Sequence, residues 1–524
     1  MTVLTSKSRG IAVSAISGIR WNYFGGVSSS LCSLIVGIIL ARMLGPKPYG
    51  QVIIAGTIYG FLNLFVDGGF SQALIQKQSL DPEEIRKAFT CQIGTGLVTT
   101  GVVYCLAPWI SRLFHDASAS PVIRAMAMMM AIQSVGLVSA ALLRRRMQFR
   151  VIQYAGVSSY LFGFLVLGIP LAFLGAGVWS LVTACLAQGV LNSVFLYAAV
   201  RHSLRPSFGL PDRSTTRFGG TIIANNVVNW GHFNLDNFAA AQLGPIGLGL
   251  YGRACNFAYQ PANAVVTGLQ SVLFSSAAKL QDRKRLMRDL TLCVLAIVFG
   301  VLGSAYAAFA LTSETTIVGL FGDKWAGVLP LMLPLAIAMP FYAAHCLLGP
   351  ILCGLGRPGL EFWPQAISCG VAAFAYFAAA RISLASIAWA LLGIMLFRFG
   401  LIAAFSFRLL QLSWGKVLQV IAKRIGFSAA FGALAWSLDQ MLRVPFHFGA
   451  GPRLTALLVF CTVLLVLSIW LAGDLVFGSE AICFLLKYES HFPDSYVKQL
   501  RIQARRNARN PIGNPASGKF IPAE

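Results

Sequence analysis

The chain has 524 residues, of which 57% are hydrophobic and only 11% are charged, and its formal net charge is +23. Soluble proteins average about 25% charged residues, and here the apolar residues form stretches of about 18 residues or more, the length that crosses a bilayer as a helix. The composition therefore excludes a soluble globular protein. Because the basic residues lie in short loops between the apolar stretches, we expect them to set membrane orientation and not to bind nucleic acid.

Fourteen transmembrane helices are predicted in chain order, and the first follows the polar segment 1–20. An even number of spans places both termini on the same side of the membrane. If that side is the cytoplasm, most of the 41 Lys and Arg residues lie in cytoplasmic segments, as the positive-inside rule requires. The predicted spans are 21–41, 50–70, 88–110, 122–143, 151–173, 177–199, 220–242, 248–274, 290–311, 327–352, 362–380, 384–407, 418–437 and 454–477.

A ten-residue pattern, A-x-x-L-G-P-x-x-x-G, occurs at 41–50 and again at 240–249. Each copy ends one apolar stretch and opens the next. The glycine of L-G-P ends a helix and the proline cannot continue it, so a tight turn on the outer side is predicted at each copy. The offset maps span one onto span seven and span two onto span eight. The sequence therefore predicts two six-helix lobes of the same orientation, with a substrate site between them.

This repeat divides the chain into five predicted parts of an all-α, polytopic membrane protein. The carboxyl tail is rich in Asn, Pro, Gly and Ser beyond its basic residues, so we expect it to be disordered and close to anionic lipid. The parts are the amino-terminal lobe 1–200, a basic cytoplasmic linker 201–219, the carboxy-terminal lobe 220–410, two extra spans within 411–477, and a basic cytoplasmic tail 478–524.

The sequence lacks the patterns that mark an enzyme or a metalloprotein. Eleven cysteines are scattered singly without a C-x-x-C pair, which favours buried apolar side chains over a disulfide framework or a metal site. The segment 513–519 imitates a phosphate-binding loop, but Phe520 stands where a Ser or Thr is required and no strand precedes it. The loops are also too short for a catalytic domain, so we expect no cofactor, no metal and no catalytic residue.

Four polar residues of predicted span seven share one helical face. Asn225, Asn229, His232 and Asp236 are spaced by four, three and four residues, which keeps them within about 60° of one another around a helix. Polar groups are costly in the bilayer core, so this face is expected to line a hydrated cavity, with Asp236 and His232 as ion or proton sites. The alternative is a polar seam that holds helices together.

Predicted span eight carries a cation with amides on the same side. Arg253 lies about 12 Å from the outer end at about 1.5 Å per residue, and Asn256 and Gln260 follow on its face. An arginine at that depth should meet water, a carboxylate or a phosphate. A structural ion pair with Asp236 is as consistent with the sequence as a free contact to substrate.

Three further charged residues are candidates. Asp67, near the inner end of span two, is either an ion-coupling site or a helix cap. Arg20 lies at the inner mouth, where it could meet a phosphate or simply orient the first span. Arg398 lies within span twelve and is a second candidate for a buried cationic contact.

The segments 39–50, 66–76, 248–258 and 322–325 resemble Wzx-type polysaccharide flippases of the multidrug/oligosaccharidyl-lipid/polysaccharide (MOP) exporter superfamily, over roughly 17–410. The resemblance implies a MATE-like fold that moves undecaprenyl-pyrophosphate-linked oligosaccharide between leaflets of a bacterial inner membrane by alternating access. Cationic cavity residues attract the pyrophosphate in such proteins, and Arg253 and Arg20 occupy suitable places. Apart from the resemblance, the basic inner loops could contact membrane lipid and dock a polysaccharide polymerase or export machinery, although their role in membrane orientation explains them without a partner.

Two other functions stay open on the sequence alone. One is an ion-coupled exporter of small molecules from the same superfamily, because Asp67 and Asp236 could exchange protons or sodium. The other is a membrane polymerase or glycosyltransferase that uses the same lipid-linked sugars. A large outer loop with paired acids would favour the latter, and none is present.

Overall fold

A computed structural model describes residues 25–26, 28–30, 32–67, 74–75, 80–207, 213–279, 283–355 and 359–471. The secondary structure of these residues is helical and includes no strand. Arg20, the central part of the predicted linker and the whole tail 478–524 lie outside the described residues.

The described residues form a series of helices separated by short turns. Two of the helices contain a π-helical segment, at Leu161–Gly168 in α5 and Val298–Leu302 in α9. The helices are α1 Ser28–Leu44, α2 Pro46–Asp67, α3 Pro82–Leu113, α4 Ser120–Arg145, α5 Phe149–Phe173, α6 Val178–Val200, α7 Arg213–Ala241, α8 Gly244–Lys279, α9 Lys284–Leu311, α10 Ser313–Phe321, α11 Leu329–Gly354, α12 Gly359–Ala380, α13 Leu384–Leu410, α14 Trp414–Arg443 and α15 Ala450–Leu471.

The fold confirms the predicted class, a helical polytopic membrane protein. Ten helices of the described part are long and apolar enough, by length and composition, to cross a membrane. Every helix except the short α10 overlaps one of the predicted spans in order. The exact number of fourteen spans stays a prediction.

The chain divides into two compact units. Unit 1 combines 1–260 with Leu320–Val328 and Gln365–Ala390, and unit 2 contains the remaining segments. The first boundary falls inside α8 at Pro261, whose missing N–H removes a helical hydrogen bond at that point. The boundaries of the two predicted lobes and of the linker stay a prediction.

In unit 1, small residues let α3, α4 and α6 approach one another closely. A Cβ on Gly96 would lie 2.7 Å from Ser134 Oγ, and one on Gly136 would lie 3.0 Å from Ser193 Oγ. The Ser193 hydroxyl donates to the Ile132 carbonyl at 3.0 Å. Helices that span a membrane gain their association from such close packing and short polar contacts, because lipid is as apolar as their side chains.

In unit 2, α14 packs directly against α9. A Cβ on Gly432 would lie 2.9 Å from the Ala307 carbonyl oxygen, and the Ser428 hydroxyl donates to the Phe299 carbonyl at 2.9 Å. The predicted extra spans therefore contribute to the core of this unit, because α14 supplies buried residues along its length.

Candidate functional site

The two copies of the repeated pattern form the predicted helix–turn–helix hairpins. Gly45 and Gly244 have φ of +75° and +82°, the left-handed region in which glycine is favoured. Gly45 N–H donates to the Ala41 carbonyl, which closes the end of α1, and α2 begins at the next residue, Pro46. The prediction of tight turns at both copies is thus confirmed.

The same two hairpins contact each other in unit 1. A Cβ on Gly50 would overlap the carbonyl group of Pro245 and lie 2.8 Å from its carbon. A Cβ on Gly249 would likewise lie 2.8 Å from the Pro46 carbonyl carbon. The first proline of each copy therefore touches the last glycine of the other.

A distant segment completes this arrangement. Trp325 is fully buried, and its Nε1–H donates to the Ala41 carbonyl at 2.8 Å. From the same segment, Lys324 Nζ donates to the Met43 carbonyl at 3.4 Å, while Arg42 Nε donates to the Leu320 carbonyl at 2.6 Å. The sequence indicated only a family resemblance for 322–325, and the contacts show that this segment also binds the first hairpin.

Arg253 lies between aromatic rings next to these hairpins. Its guanidinium carbon is 5.4 Å from the Tyr49 ring centre and 4.9 Å from that of Phe321, both within range of a cation–π interaction. Gly37 leaves room for the charged group, since a Cβ there would lie 2.8 Å from Arg253 Nη2. In the described part of the chain Arg253 forms no ion pair, and its buried Nε has no hydrogen-bond partner.

Asp236 has other partners than Arg253, so the ion pair considered on the sequence is wrong. The Asp236 carboxylate is buried and accepts a 3.1 Å hydrogen bond from the Tyr251 hydroxyl. It also accepts a 2.9 Å bond from the backbone N–H of Asn237. The ion pair does not form because Tyr251 on the adjacent helix α8 binds the carboxylate, whereas the Arg253 guanidinium lies beside Tyr49 and Phe321.

The polar face of α7 is divided among different neighbours. Asn229 accepts a hydrogen bond from Gln365 Nε2 on α12, and His232 is buried beside the ring of Phe233. The side chain of Asn225 lies outside the described residues. The contact with Gln365 fits the seam that holds helices together, and the hydrated cavity wall stays a prediction.

The two amides of α8 lie on the side of Arg253, as their spacing predicts. Asn256 is exposed, and its Oδ1 accepts a 3.0 Å hydrogen bond from Gln260 Nε2. At three and seven residues from Arg253, they lie within about 60° of it around the helix. A cation and two amides thus share one helical face.

Of the other charged candidates, Arg398 is the one whose side chain the structure describes. Arg398 on α13 belongs to unit 2 and is only 4% exposed, which fits the buried cation expected there. Asp67 is the last residue of α2, but its side chain lies outside the described residues, as does Arg20. Their proposed roles stay predictions.

The roles of Tyr49 and Phe321 were missed by sequence reasoning. Tyr49 is the ninth residue of the first repeated pattern, so its position beside Gly50 was the available signal. No periodicity connects Phe321 with Arg253, because the two lie on separate helices.

The helical hairpins and their packing define a multi-pass helical membrane fold, and solved structures share it. The lipid II flippase MurJ in an inward closed conformation superposes with a TM-score of 0.67, at 10% identity, covering 91% of this chain and 99% of MurJ. An inward-facing multidrug resistance MATE family transporter of the MOP superfamily gives a TM-score of 0.58 at 15% identity, covering 74% of this chain and 98% of the transporter. At these identities the likeness shows the fold alone.

The chain belongs to the polysaccharide biosynthesis protein family, whose profile matches residues 39–330. It is 26% identical over 348 residues to the succinoglycan biosynthesis transport protein ExoT of Rhizobium meliloti, covering 66% of this chain and 70% of ExoT. It is 22% identical to the lipopolysaccharide biosynthesis protein WzxC of Escherichia coli, over 66% and 71% of the two chains. The teichuronic acid biosynthesis protein TuaB of Bacillus subtilis is 22% identical over 93% of this chain and 97% of its own. The predicted resemblance to Wzx-type flippases is confirmed.

Proposed function

We propose that the chain flips undecaprenyl-pyrophosphate-linked oligosaccharide repeat units from the cytoplasmic to the periplasmic leaflet of a bacterial inner membrane by alternating access. The exported product would be an exopolysaccharide, a capsule or an O-antigen. The family, the three relatives and the fold shared with a lipid II flippase support this function. They favour transport over bond chemistry, so we assign no catalytic residue.

The observation that carries the proposal is the environment of Arg253. Aromatic faces attract a cation but leave the in-plane N–H donors of a guanidinium free for an anion. In the described chain Arg253 has these faces and no carboxylate, so its charge lacks a counter-ion. A pyrophosphate offers paired oxygens that match the planar donors of arginine.

The saccharide would lie along α8, starting beside Arg253. Asn256 and Gln260 supply amide donors and acceptors on the face of Arg253. Sugar hydroxyls need both kinds of partner, whereas the polyprenyl tail needs none and would stay in lipid. The proposal therefore places the pyrophosphate at Arg253, the sugar beside the two amides and the tail outside.

The direction of transport rests on the proposed topology with both termini in the cytoplasm. Basic residues concentrate in the segments that this topology places inside. They would also lie near anionic lipid, and we propose the same surface for docking of a polysaccharide polymerase or export machinery.

Reconstitution tests the role of Arg253. In proteoliposomes that contain a fluorescent polyprenyl-pyrophosphate oligosaccharide, we expect Arg253→Ala to lower the flipping rate at least about tenfold, the effect of about 1.4 kcal/mol of lost binding. Arg253→Lys should recover part of it, because the charge remains without the planar pair of donors.

Arg124→Ala is the matched control. Arg124 also lies over a tyrosine ring, with its guanidinium carbon 5.0 Å from the centre of Tyr104, but outside the proposed site. Flipping should persist in this variant. Equal rates in Arg253→Ala and Arg124→Ala would contradict the assignment.

An ion-coupled exporter of small molecules is the second candidate, and Asp236 favours it. Among the described residues, this buried carboxylate accepts hydrogen bonds from two neutral donors, so it could accept a proton or sodium ion. Asp236→Asn preserves an acceptor for Tyr251 but not the ionisable group. Loss of transport only in this variant, together with dependence on a proton or sodium gradient, would support ion coupling.

A further inference from the structure

The reciprocal contact between the two hairpins has a feature that turn geometry does not require. Gly45 and Gly244 need their left-handed backbone, but Gly50 and Gly249 are not among the residues with positive φ. These two glycines instead leave space for the carbonyl groups of Pro245 and Pro46, and a Cβ at either position would collide with them. The final glycine of each pattern is therefore needed for contact between the hairpins.

The contact continues one turn further along α2 and α8, the corresponding helix of the second hairpin. A Cβ on Gly252 would lie 3.5 Å from Ile53 Cγ1 and 3.8 Å from Ile53 Cγ2. The Ile53 side chain thus fills the space that Gly252 leaves open, and the two helices touch at glycine positions. Such a surface can separate without breaking a strong hydrogen bond.

One segment of unit 1 touches both hairpins. Within Leu320–Val328, Trp325 binds the Ala41 carbonyl of the first hairpin. Two residues later, a Cβ on Gly327 would lie 2.9 Å from Leu250 Cδ1 of the second. This segment can support the two hairpins in the arrangement seen here.

Tyr49 connects the hairpin contact to the proposed anion site. It precedes Gly50 in the chain. Its ring centre lies 5.4 Å from the guanidinium carbon of Arg253 and 5.5 Å from the ring centre of Trp325, in an edge-to-face arrangement with the latter. A movement that separates Gly50 from Pro245 would therefore also move one ring away from the guanidinium.

We propose that the paired hairpins are the outer closure of the transport path. The proline–glycine contacts are made in the state described here and separate when the path opens outward, and Tyr49 couples that opening to Arg253. This inference rests on the proposed function and topology.

Thiol accessibility tests the closure without any substrate. In right-side-out vesicles, the full chain carrying Asn256→Cys is treated from outside with a membrane-impermeant maleimide, and labelling is corrected for the chain without this cysteine. We expect little labelling in the native background and severalfold more after Gly50→Ala, because the added Cβ prevents closure. Gly56→Ala is the control on the same helix, since a Cβ there meets nothing within 4 Å. Equal labelling in Gly50→Ala and Gly56→Ala would overturn the proposal.

A disulfide between the hairpins tests the closure in the opposite way, by holding the hairpins together. It also tests the proposal if Gly50→Ala does not accumulate in the membrane. Ile53 Cγ1 lies 3.5 Å from a Cβ built on Gly252, so we expect Ile53→Cys and Gly252→Cys together to place two thiols within cross-linking reach. A protease site inserted in the segment 201–219 detects the disulfide. After cleavage the two fragments stay linked on a non-reducing gel if the bond has formed, and separate if it has not. We expect oxidation of Ile53→Cys/Gly252→Cys to stop flipping and reduction to restore it, with both single variants unaffected by oxidation.

Unchanged flipping by the cross-linked chain would overturn the closure. The two tests also separate this inference from the proposed function. Vesicle labelling needs no lipid transport, so the expected labelling together with no flipping by the native chain would count against the function alone.

Discussion

At the residue scale, Arg253 lies over two aromatic rings, and no acid among the described residues pairs with it. Its depth in α8 could be predicted from the position in the span. Its rings could not, because Phe321 ends a separate helix, α10. The assumed partner Asp236 is instead bound by Tyr251. Helical periodicity identifies residues on one face but does not show which helix lies opposite that face.

The Tyr49 ring gives a prediction at this scale. A cation–π contact contributes about 0.5–2 kcal/mol. We therefore expect Tyr49→Leu to raise the half-saturating concentration of the pyrophosphate-linked substrate by about two- to thirtyfold. Tyr49→Phe keeps the ring and should stay within about twofold of the native chain. Substrate-concentration curves in proteoliposomes provide the comparison, and equal losses in both variants would indicate that the hydroxyl matters instead.

At the element scale, the repeated hairpins follow from local chemistry. Glycine and proline fix each turn, which could be read from the sequence. The meeting of Gly50 with Pro245 could not, because it depends on which helices pack together. The extra spans show the same limit. The sequence predicted them as two extra spans after the second lobe, and it did not indicate that α14 packs against α9 in unit 2.

A buried ion pair joins α14 and α15, and its removal should be costly. Arg453 Nη1 lies 3.4 Å from Asp439 Oδ1, with side chains only 8% and 5% exposed, and the Thr315 hydroxyl donates to the same carboxylate. Breaking one partner of such a pair costs about 3–5 kcal/mol, because the other charge stays buried. We therefore expect Arg453→Met to lower the thermal unfolding midpoint in detergent markedly.

The double variant Arg453→Met/Asp439→Leu is the control for that pair. It removes both charges together, so it should regain much of the lost stability. Arg443→Ala removes an exposed pair with Glu314 and should have a small effect. If Arg453→Met and Arg443→Ala unfold at the same temperature, the buried pair has no structural importance.

The segment after α6 is expected to respond to pH. His202 is buried between the rings of Phe89 and Tyr197, at centroid distances of 5.0 and 5.5 Å. Burial lowers the pKa of His202, and its hydrogen bond to the Ser203 carbonyl opposes this only partly. The docked segment therefore favours neutral imidazole. Its stability is complete above the unfolded pKa of about 6.5 and is lost as pH falls through the lower folded value.

Hydrogen exchange measures this effect in the backbone of 201–207. We expect faster exchange near pH 5 than near pH 7.5, after correction for intrinsic rates. His202→Phe keeps a ring without a titratable group, so it should remove the difference. The same pH dependence in His202→Phe would exclude His202 as its origin.

At the scale of the whole molecule, the class was predictable and the site was predictable only in part. Long apolar stretches and the distribution of Lys and Arg indicate a polytopic helical protein, because the bilayer constrains every span in the same way. The proposed anion site combines residues from α2, α8 and the end of α10. Such a combination is set by tertiary packing, which a single sequence does not display.

Transbilayer movement of one oligosaccharide on two different carriers tests the central claim most directly. The native chain and Arg253→Ala are reconstituted with the fluorescent sugar linked either to polyprenyl pyrophosphate or to a neutral lipid of equal chain length, and an impermeant quencher reports the outer leaflet. We predict rapid movement of the pyrophosphate form by the native chain, and slow movement in the other three combinations. Equal movement of both carriers by the native chain, or of the pyrophosphate form by both proteins, would contradict recognition of a lipid pyrophosphate at Arg253.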